Sequence, residues 1–137
     1  MQAHPYIFFE GNCREAFEFY QKLGIGTVVD MMTNDQVPPG QEYDPKRAKN
    51  IMHGSMRIGE QLIMASDSPP DWYEKPQGFN IHITAPTAAE ADRLFAALSE
   101  GGKVQMPMAE TFWALRFGAC VDRFGIPWMV SADRPAT

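Results

Sequence analysis

Cysteine is scarce: Cys13 and Cys120 are the only two in 137 residues, too few for a disulfide framework. Cys13 falls at a helix start, where a thiol's pKa is often lowered, although the plain reading is a reduced thiol with no role. No apolar run approaches the ~20 residues a membrane span needs. The N-terminus lacks the basic start and apolar core of an export signal, so a cytoplasmic location is expected. Basic residues never gather, and 12 Lys and Arg against 17 Asp and Glu leave a net charge of -5. Such a surface has no patch for neutralising phosphates, which excludes nucleic acid and anionic membrane as expected partners. No Gly-x-Gly-x-x-Gly stretch exists, since Gly24-Ile25-Gly26 stands alone and Gly101-Gly102 reads as a helix end. The glycine-rich cradle of common S-adenosylmethionine enzymes and the phosphate-binding loop are both missing. Without a Gly-x-Ser-x-Gly elbow, serine-hydrolase chemistry has no support.

What is present is an internal echo. Asn12-Cys13-Arg14-Glu15-Ala16 and Thr87-Ala88-Ala89-Glu90-Ala91, 75 residues apart, each read as a capping box in which a small polar side chain and a Glu three residues on satisfy each other's amides. Phe19, Tyr20 and Leu23 match Leu94, Phe95 and Leu98 at the same offset, and glycines follow both helices. Arg57-Ile58-Gly59 before Leu62-Ile63-Met64 is echoed by Arg123-Phe124-Gly125 before Trp128-Met129-Val130. The chain reads as a duplicated unit. A hydrophobic content of 45% with 21% charge suits one globular domain, which buries roughly two-thirds of its unfolded surface.

Periodicity and punctuation predict the same order twice. The first half reads as strand 5–9, helix 13–23 with Ala16, Phe19, Tyr20 and Leu23 on one face, strand 27–32, and a hairpin of 50–58 with 61–66. The second reads as strand 79–84, helix 88–98, strand 103–108, and a hairpin of 112–121 with 126–131. A loop around Pro38-Pro39-Gly40 interrupts the first half, and a proline-bearing loop over 67–78 with Trp72 and Tyr73 separates the halves.

That order resembles the vicinal-oxygen-chelate superfamily, which includes glyoxalase I and bleomycin-resistance proteins. The wording is closest to its PhnB-like branch, often labelled 3-demethylubiquinone 3-methyltransferase-like. The phrases that carry the resemblance are Phe9-Glu10-Gly11-Asn12-Cys13-Arg14-Glu15-Ala16-Phe17, Leu62-Ile63-Met64-Ala65-Ser66-Asp67, Gly101-Gly102-Lys103-Val104-Gln105-Met106-Pro107 and Thr111-Phe112-Trp113-Ala114. Phe117-Gly118, Asp122-Arg123-Phe124-Gly125 and Trp128-Met129 continue the last of these. The resemblance implies an α+β fold in one domain over 1–137, with two βαβββ modules (about 4–67 and 78–133) forming a U-shaped mixed sheet around a cavity. It also implies a homodimer and a small-molecule ligand. The superfamily hosts isomerases, dioxygenases, thiol transferases and drug-sequestering proteins, so fold alone does not choose an activity.

Strand alternation sorts the side chains. Ile51, His53, Ser55 and Arg57 are assigned to the cavity, with Met52, Gly54, Met56 and Ile58 towards the helix. Asn80, His82 and Thr84 point inward, and Trp113, Leu115 and Phe117 form a helix-facing stripe that leaves Phe112, Ala114 and Arg116 inside. Pairing Val121 with Ile126 sets Gly118 opposite Met129 and Arg116 opposite Ser131. The expected pocket is therefore Ile7, His53, Ser55, Met64, Asn80, His82, Phe112, Arg116 and Met129, suited to a moderately apolar ligand with an anionic or carbonyl group. His53 and His82 are the candidates for acid–base catalysis. Arg116 is a candidate anion clamp, with an ion pair to an acid the equal alternative. Asp67 reads as a turn cap before Ser68-Pro69-Pro70.

In the superfamily's catalytic members, metal ligands come from the first and last strand of each module. Those positions fall here on Pro5, Asn80, Met129 and either Met64 or Ile63, none of them a good donor for a divalent transition metal. No metal or other cofactor is expected. The one alternative that would hold an ion is a displaced site built from His4, His53 and His82, as a metal-dependent lyase or dioxygenase would need. A drug-sequestering protein needs no catalytic histidine.

Overall fold

Each half of the chain builds a four-stranded sheet with one helix laid on it in the computed structural model, which describes residues 1–135. The halves are compact units, Met1–Glu74 and Lys75–Thr137. The first contains β1 (Tyr6–Phe9), α1 (Cys13–Leu23), β2 (Thr27–Thr33), β3 (Ile51–Ile58) and β4 (Gln61–Asp67). The second contains β5 (Ile81–Ala85), α2 (Ala88–Ser99), β6 (Lys103–Ala109), β7 (Ala114–Val121) and β8 (Pro127–Asp133). Strand orders are β1-β4-β3-β2 and β5-β8-β7-β6. In both, the first strand pairs in parallel with the last, and the remaining pairs are antiparallel. Two βαβββ modules in an α+β chain are thus present as expected.

Helical spacing fixes the buried stripes. α1 covers its sheet with Cys13, Ala16, Phe17 and Tyr20, and α2 with Ala91, Leu94, Phe95 and Leu98. Burying a side chain the size of Phe17 contributes about 2 kcal/mol. The Phe17 ring meets Phe9 of β1 edge-on at 6.1 Å, which marks the helix side of the first sheet. The face expected from Phe19 and Leu23 is displaced one turn towards the helix start.

The two helix starts are held differently. Thr87 accepts from the Glu90 amide at 3.1 Å, giving α2 a local cap, while the Glu90 carboxylate goes forward to Arg93. The expected box at Asn12 and Glu15 does not form: Asn12 makes no cap bond, and its Oδ1 is buried without a partner among the described residues. Asp67 takes over from the far end of the unit. Its Oδ1 accepts from the amides of Gly11 (3.1 Å) and Cys13 (2.9 Å), and its Oδ2 from that of Ile51 (2.8 Å). Asp67 is therefore a helix anchor rather than a turn cap. A carboxylate also suits the positive end of the helix dipole.

A one-residue difference between the halves decides which strand face looks where. Three residues, Glu10–Asn12, link β1 to α1, whereas only Pro86 and Thr87 link β5 to α2. Gly11 takes a positive φ of 96° within the longer link. The offset of 75 that aligns the helices therefore misaligns the strands by one, and one residue reverses every side chain.

Candidate functional site

The sheet face away from its helix is the natural binding surface of each unit. In the first unit, pairing sets Tyr6 beside Met64, and Met64 beside Ser55. Phe8 lies beside Ser66, and Arg57 beside Leu62. The Tyr6 ring lies 5.1 Å from Phe8 and 6.1 Å from the His53 imidazole, so β1 and β3 present these groups on the same side. His53, Ser55 and Arg57 follow at alternate positions along β3. Ser55 is 5% exposed and Arg57 is open to solvent.

In the second unit His82 pairs with Met129 and Thr84 with Ser131, while β7 places Ala119 beside Met129 and Phe117 beside Ser131. His82 Nε2 lies 2.8 Å from the Ser131 hydroxyl, which is buried. The imidazole also stands 6.3 Å from the Phe117 ring, and Phe117 meets Trp113 edge-on at 5.5 Å. Asn80, just ahead of β5, donates through Nδ2 to the Trp128 carbonyl (3.1 Å) and to Gln105 Oε1 (3.3 Å).

His53, Ser55 and Met64 thus share the helix-free face of the first unit, and His82 and Met129 that of the second. Three pocket assignments are corrected. Ile7 is 4% exposed and shares the parity of Phe9, so it belongs to the helix side, and Tyr6 and Phe8 replace it. Arg116 lies on the helix side beside Ala132, and its Nε donates to Asp92 of α2 at 2.7 Å. Phe112 precedes β7, is 89% exposed and packs against Trp113. A further correction concerns Ile51, which is buried on the helix side near Gly54 because a bulge interrupts β2–β3 pairing between Met32 and Thr33.

The β7 errors share one cause. Asp122 itself accepts and donates across the turn, with its amide bonded to the Ile126 carbonyl at 2.9 Å, so Val121 pairs with Pro127 rather than Ile126. That single step carries Phe117 to the helix-free face and Arg116 away from it. A bulge between Ala114 and Arg116 then buries Ala114. Of the aromatics read from sequence as core, Phe117 stands beside His82 and Trp113 packs on Phe117 with half its surface exposed, whereas Trp128 is core as expected.

Electrostatics set the rest of the chemistry. Burial, reinforced by the Asp67 charge, pushes the Cys13 thiol up to about 12, so the helix start does not activate it. Burial also raises Cys120. Two buried carboxylates are fully committed: Asp67 as above, and Asp122 to the amides of Phe124 (2.8 Å) and Ile126 (3.0 Å) and to Trp128 Nε1 (2.8 Å). No carboxylate lies within hydrogen-bond or ion-pair distance of His53 or His82 among the described residues. Corrected strand parity also moves the first-unit counterpart of Asn80 from Pro5 to His4, whose Nδ1 is buried without a partner among the described residues. Among the described residues no three His, Cys, Asp or Glu side chains gather in a way that suits an ion. Thioethers, hydroxyls and single imidazoles are a poor donor set for a divalent metal.

Two βαβββ modules of this topology in one chain define the glyoxalase/bleomycin-resistance class, and comparison with known proteins narrows it. Residues 1–131 match the family described as 3-demethylubiquinone-9 3-methyltransferase, and the chain belongs to that family, the PhnB-like branch of the superfamily. It is similar to protein YjdN of Escherichia coli strain K12, 33% identical over 142 residues that span 96% of this chain and 95% of the relative. It is similar in structure to protein PA1353 of Pseudomonas aeruginosa, with 43% identity, a TM-score of 0.88, and 98% and 99% of the two chains covered. A PhnB protein of Bacillus cereus, named a putative 3-demethylubiquinone-9 3-methyltransferase, matches at 24% identity and a TM-score of 0.77 over 96% of this chain and 99% of that one. The fold extends to a fosfomycin resistance protein, FosX of Listeria monocytogenes, solved with Mn(II), at 10% identity and a TM-score of 0.66 over 98% and 93%. No helix among the described residues is long and apolar enough to cross a membrane.

Proposed function

We propose that this protein binds a small, moderately apolar molecule on the helix-free faces of its sheets and does so without a metal, acting as a cytoplasmic homodimer. One observation carries the reading: those faces mix imidazole, hydroxyl, thioether and aromatic groups, while the buried carboxylates are committed elsewhere. Such a lining suits orientation of an organic ligand by a few polar contacts over an apolar bed. His53 and His82 are the groups placed to exchange a proton with it.

Elemental analysis of protein purified without chelators tests the metal-free part. Substoichiometric Mn, Fe, Ni and Zn is the expected result. A stoichiometric ion lost from the His53→Ala and His82→Ala variants overturns it in favour of a metal-dependent lyase or dioxygenase. A second reading, sequestration of an aromatic drug, is favoured by the exposed T-shaped pair of Phe112 and Trp113. Quenching of tryptophan fluorescence by aromatic cations, lost in Trp113→Ala, is its signature.

A further inference from the structure

The face beside β3 has donors that the protein itself does not use. We infer that the ladder His53–Ser55–Arg57 recognises the oxyanion of an aromatic or unsaturated organic acid, with Arg57 as the charge-reading group. This rests on the binding reading above and names the class of ligand. Every other arginine has internal work. Arg14, Arg93, Arg116 and Arg134 pair with carboxylates, Arg47 donates to the Asp67 carbonyl, and Arg123 lies over the Phe124 ring. Arg57 has no such partner among the described residues. Asp30, opposite Ser55 on β2, forms no ion pair with Arg57 among the described residues.

Neither His53 nor Ser55 makes a side-chain hydrogen bond within the protein, again among the described residues, and His53 only faces the Tyr6 ring. Strand alternation sends all three side chains of the ladder the same way, at every second residue. Next to that polar ladder, β4 offers Leu62 and Met64, and β1 offers the paired rings of Tyr6 and Phe8. His4, whose Nδ1 is buried and has no partner among the described residues, stands at the register position beyond Leu62 in the Arg57 row. A flat apolar body resting on thioether and rings, with its acidic end towards a planar guanidinium fork, satisfies both halves of this surface. The corresponding strand of the second unit offers Phe117, Ala119 and Val121, with no donor among their side chains.

NMR titration of the full chain with benzoate, phenylphosphonate and neutral benzamide tests the inference. Both anions should bind at least about 10-fold tighter than benzamide, shift the Tyr6 and His53 signals, and weaken as salt is raised. Arg57→Gln should weaken both anions by about 10- to 150-fold, the range of one charge-assisted hydrogen bond, and leave benzamide unchanged. Arg57→Lys should recover part of the loss, and Arg116→Gln should bind as the wild type. A preference for one anion over the other separates a carboxylate from a phosphonate ligand and supports the inference either way. Equal binding of benzamide and the anions, or anion binding unaffected by Arg57→Gln, overturns it while leaving small-molecule binding intact. Silence from all three probes at Tyr6, His53 and His82 overturns both. Arg57 holds nothing in the fold, so Arg57→Gln should keep wild-type stability within about 0.5 kcal/mol, checked by urea unfolding.

Discussion

The first unit satisfies the start of its helix with a carboxylate that arrives at the end of the unit, whereas the second uses a threonine immediately ahead of its helix. The helix-free faces differ in the same spirit. An imidazole faces an aromatic ring in both, but the roles are exchanged. In the first unit Tyr6 is on the parallel strand and His53 on the hairpin, and in the second His82 is on the parallel strand and Phe117 on the hairpin. His82 is bonded to Ser131, and Asn80 to the Trp128 carbonyl, while the first unit leaves its ladder unspent. Two copies of one topology thus divide between a polar donor surface and an apolar, internally satisfied one. Duplication fixes the scaffold and leaves each copy free to take a different chemical task.

The largest test of this contrast is Asp67→Ala. It strips three amides of their acceptor, the buried ones of Cys13 and Ile51 and the half-buried one of Gly11, and should cost about 3–5 kcal/mol in urea unfolding, since each unmet buried donor costs ~1–3 kcal/mol with partial relief by water. Loss below about 1 kcal/mol would show that Asp67 is not the anchor. Equivalent glycines give the next effect. A Cβ at Gly118 would lie 2.6 Å from Met108 Sδ and 3.0 Å from Phe95 Cε1, whereas at Gly54 the nearest atom is Met31 Sδ at 3.1 Å. Gly118→Ala should cost about 2–3 kcal/mol and Gly54→Ala about 1 kcal/mol or less, and the reverse order in thermal unfolding would contradict the packing. The smallest concerns the helix starts themselves. Thr87→Ala should cost about 1 kcal/mol, but Asn12→Ala, which removes a buried unpartnered oxygen, should be neutral or slightly stabilising. Equal losses at the two positions would mean that both caps are local after all.

Most of the scaffold was legible from the chain. Helix 13–23 matches α1 at both ends, and every strand fell within about two residues of its observed bounds, because glycines and prolines punctuate a repeated order. Alternation alone puts His53, Ser55 and His82 on the helix-free faces, and the superfamily's last-strand positions add Met64 and Met129. What failed was parity wherever both faces are apolar. Phe117 and Trp113 look like core in sequence, and nothing in their chemistry tells one sheet face from the other. The lengths of the Glu10–Asn12 and Pro86–Thr87 links held the missing signal, since the extra residue at Gly11 implies opposite parity for Ile7 and His82. The anchoring by Asp67 is a long-range choice that local propensity does not encode, whereas the Asp122–Ile126 pairing is a local alternative turn that moves the hairpin register by one residue.

Because Asp67 lies 54 residues after Cys13, a ribosome releases the start of α1 well before its anchor. At ~5–20 residues per second the wait is roughly 3–10 s, during which the nascent segment has no cap of its own. The second helix emerges directly behind Thr87 and is complete on arrival. Vectorial synthesis therefore makes the N-terminal half the slower to settle, and fragments that stop short of Asp67 should leave its first helix frayed.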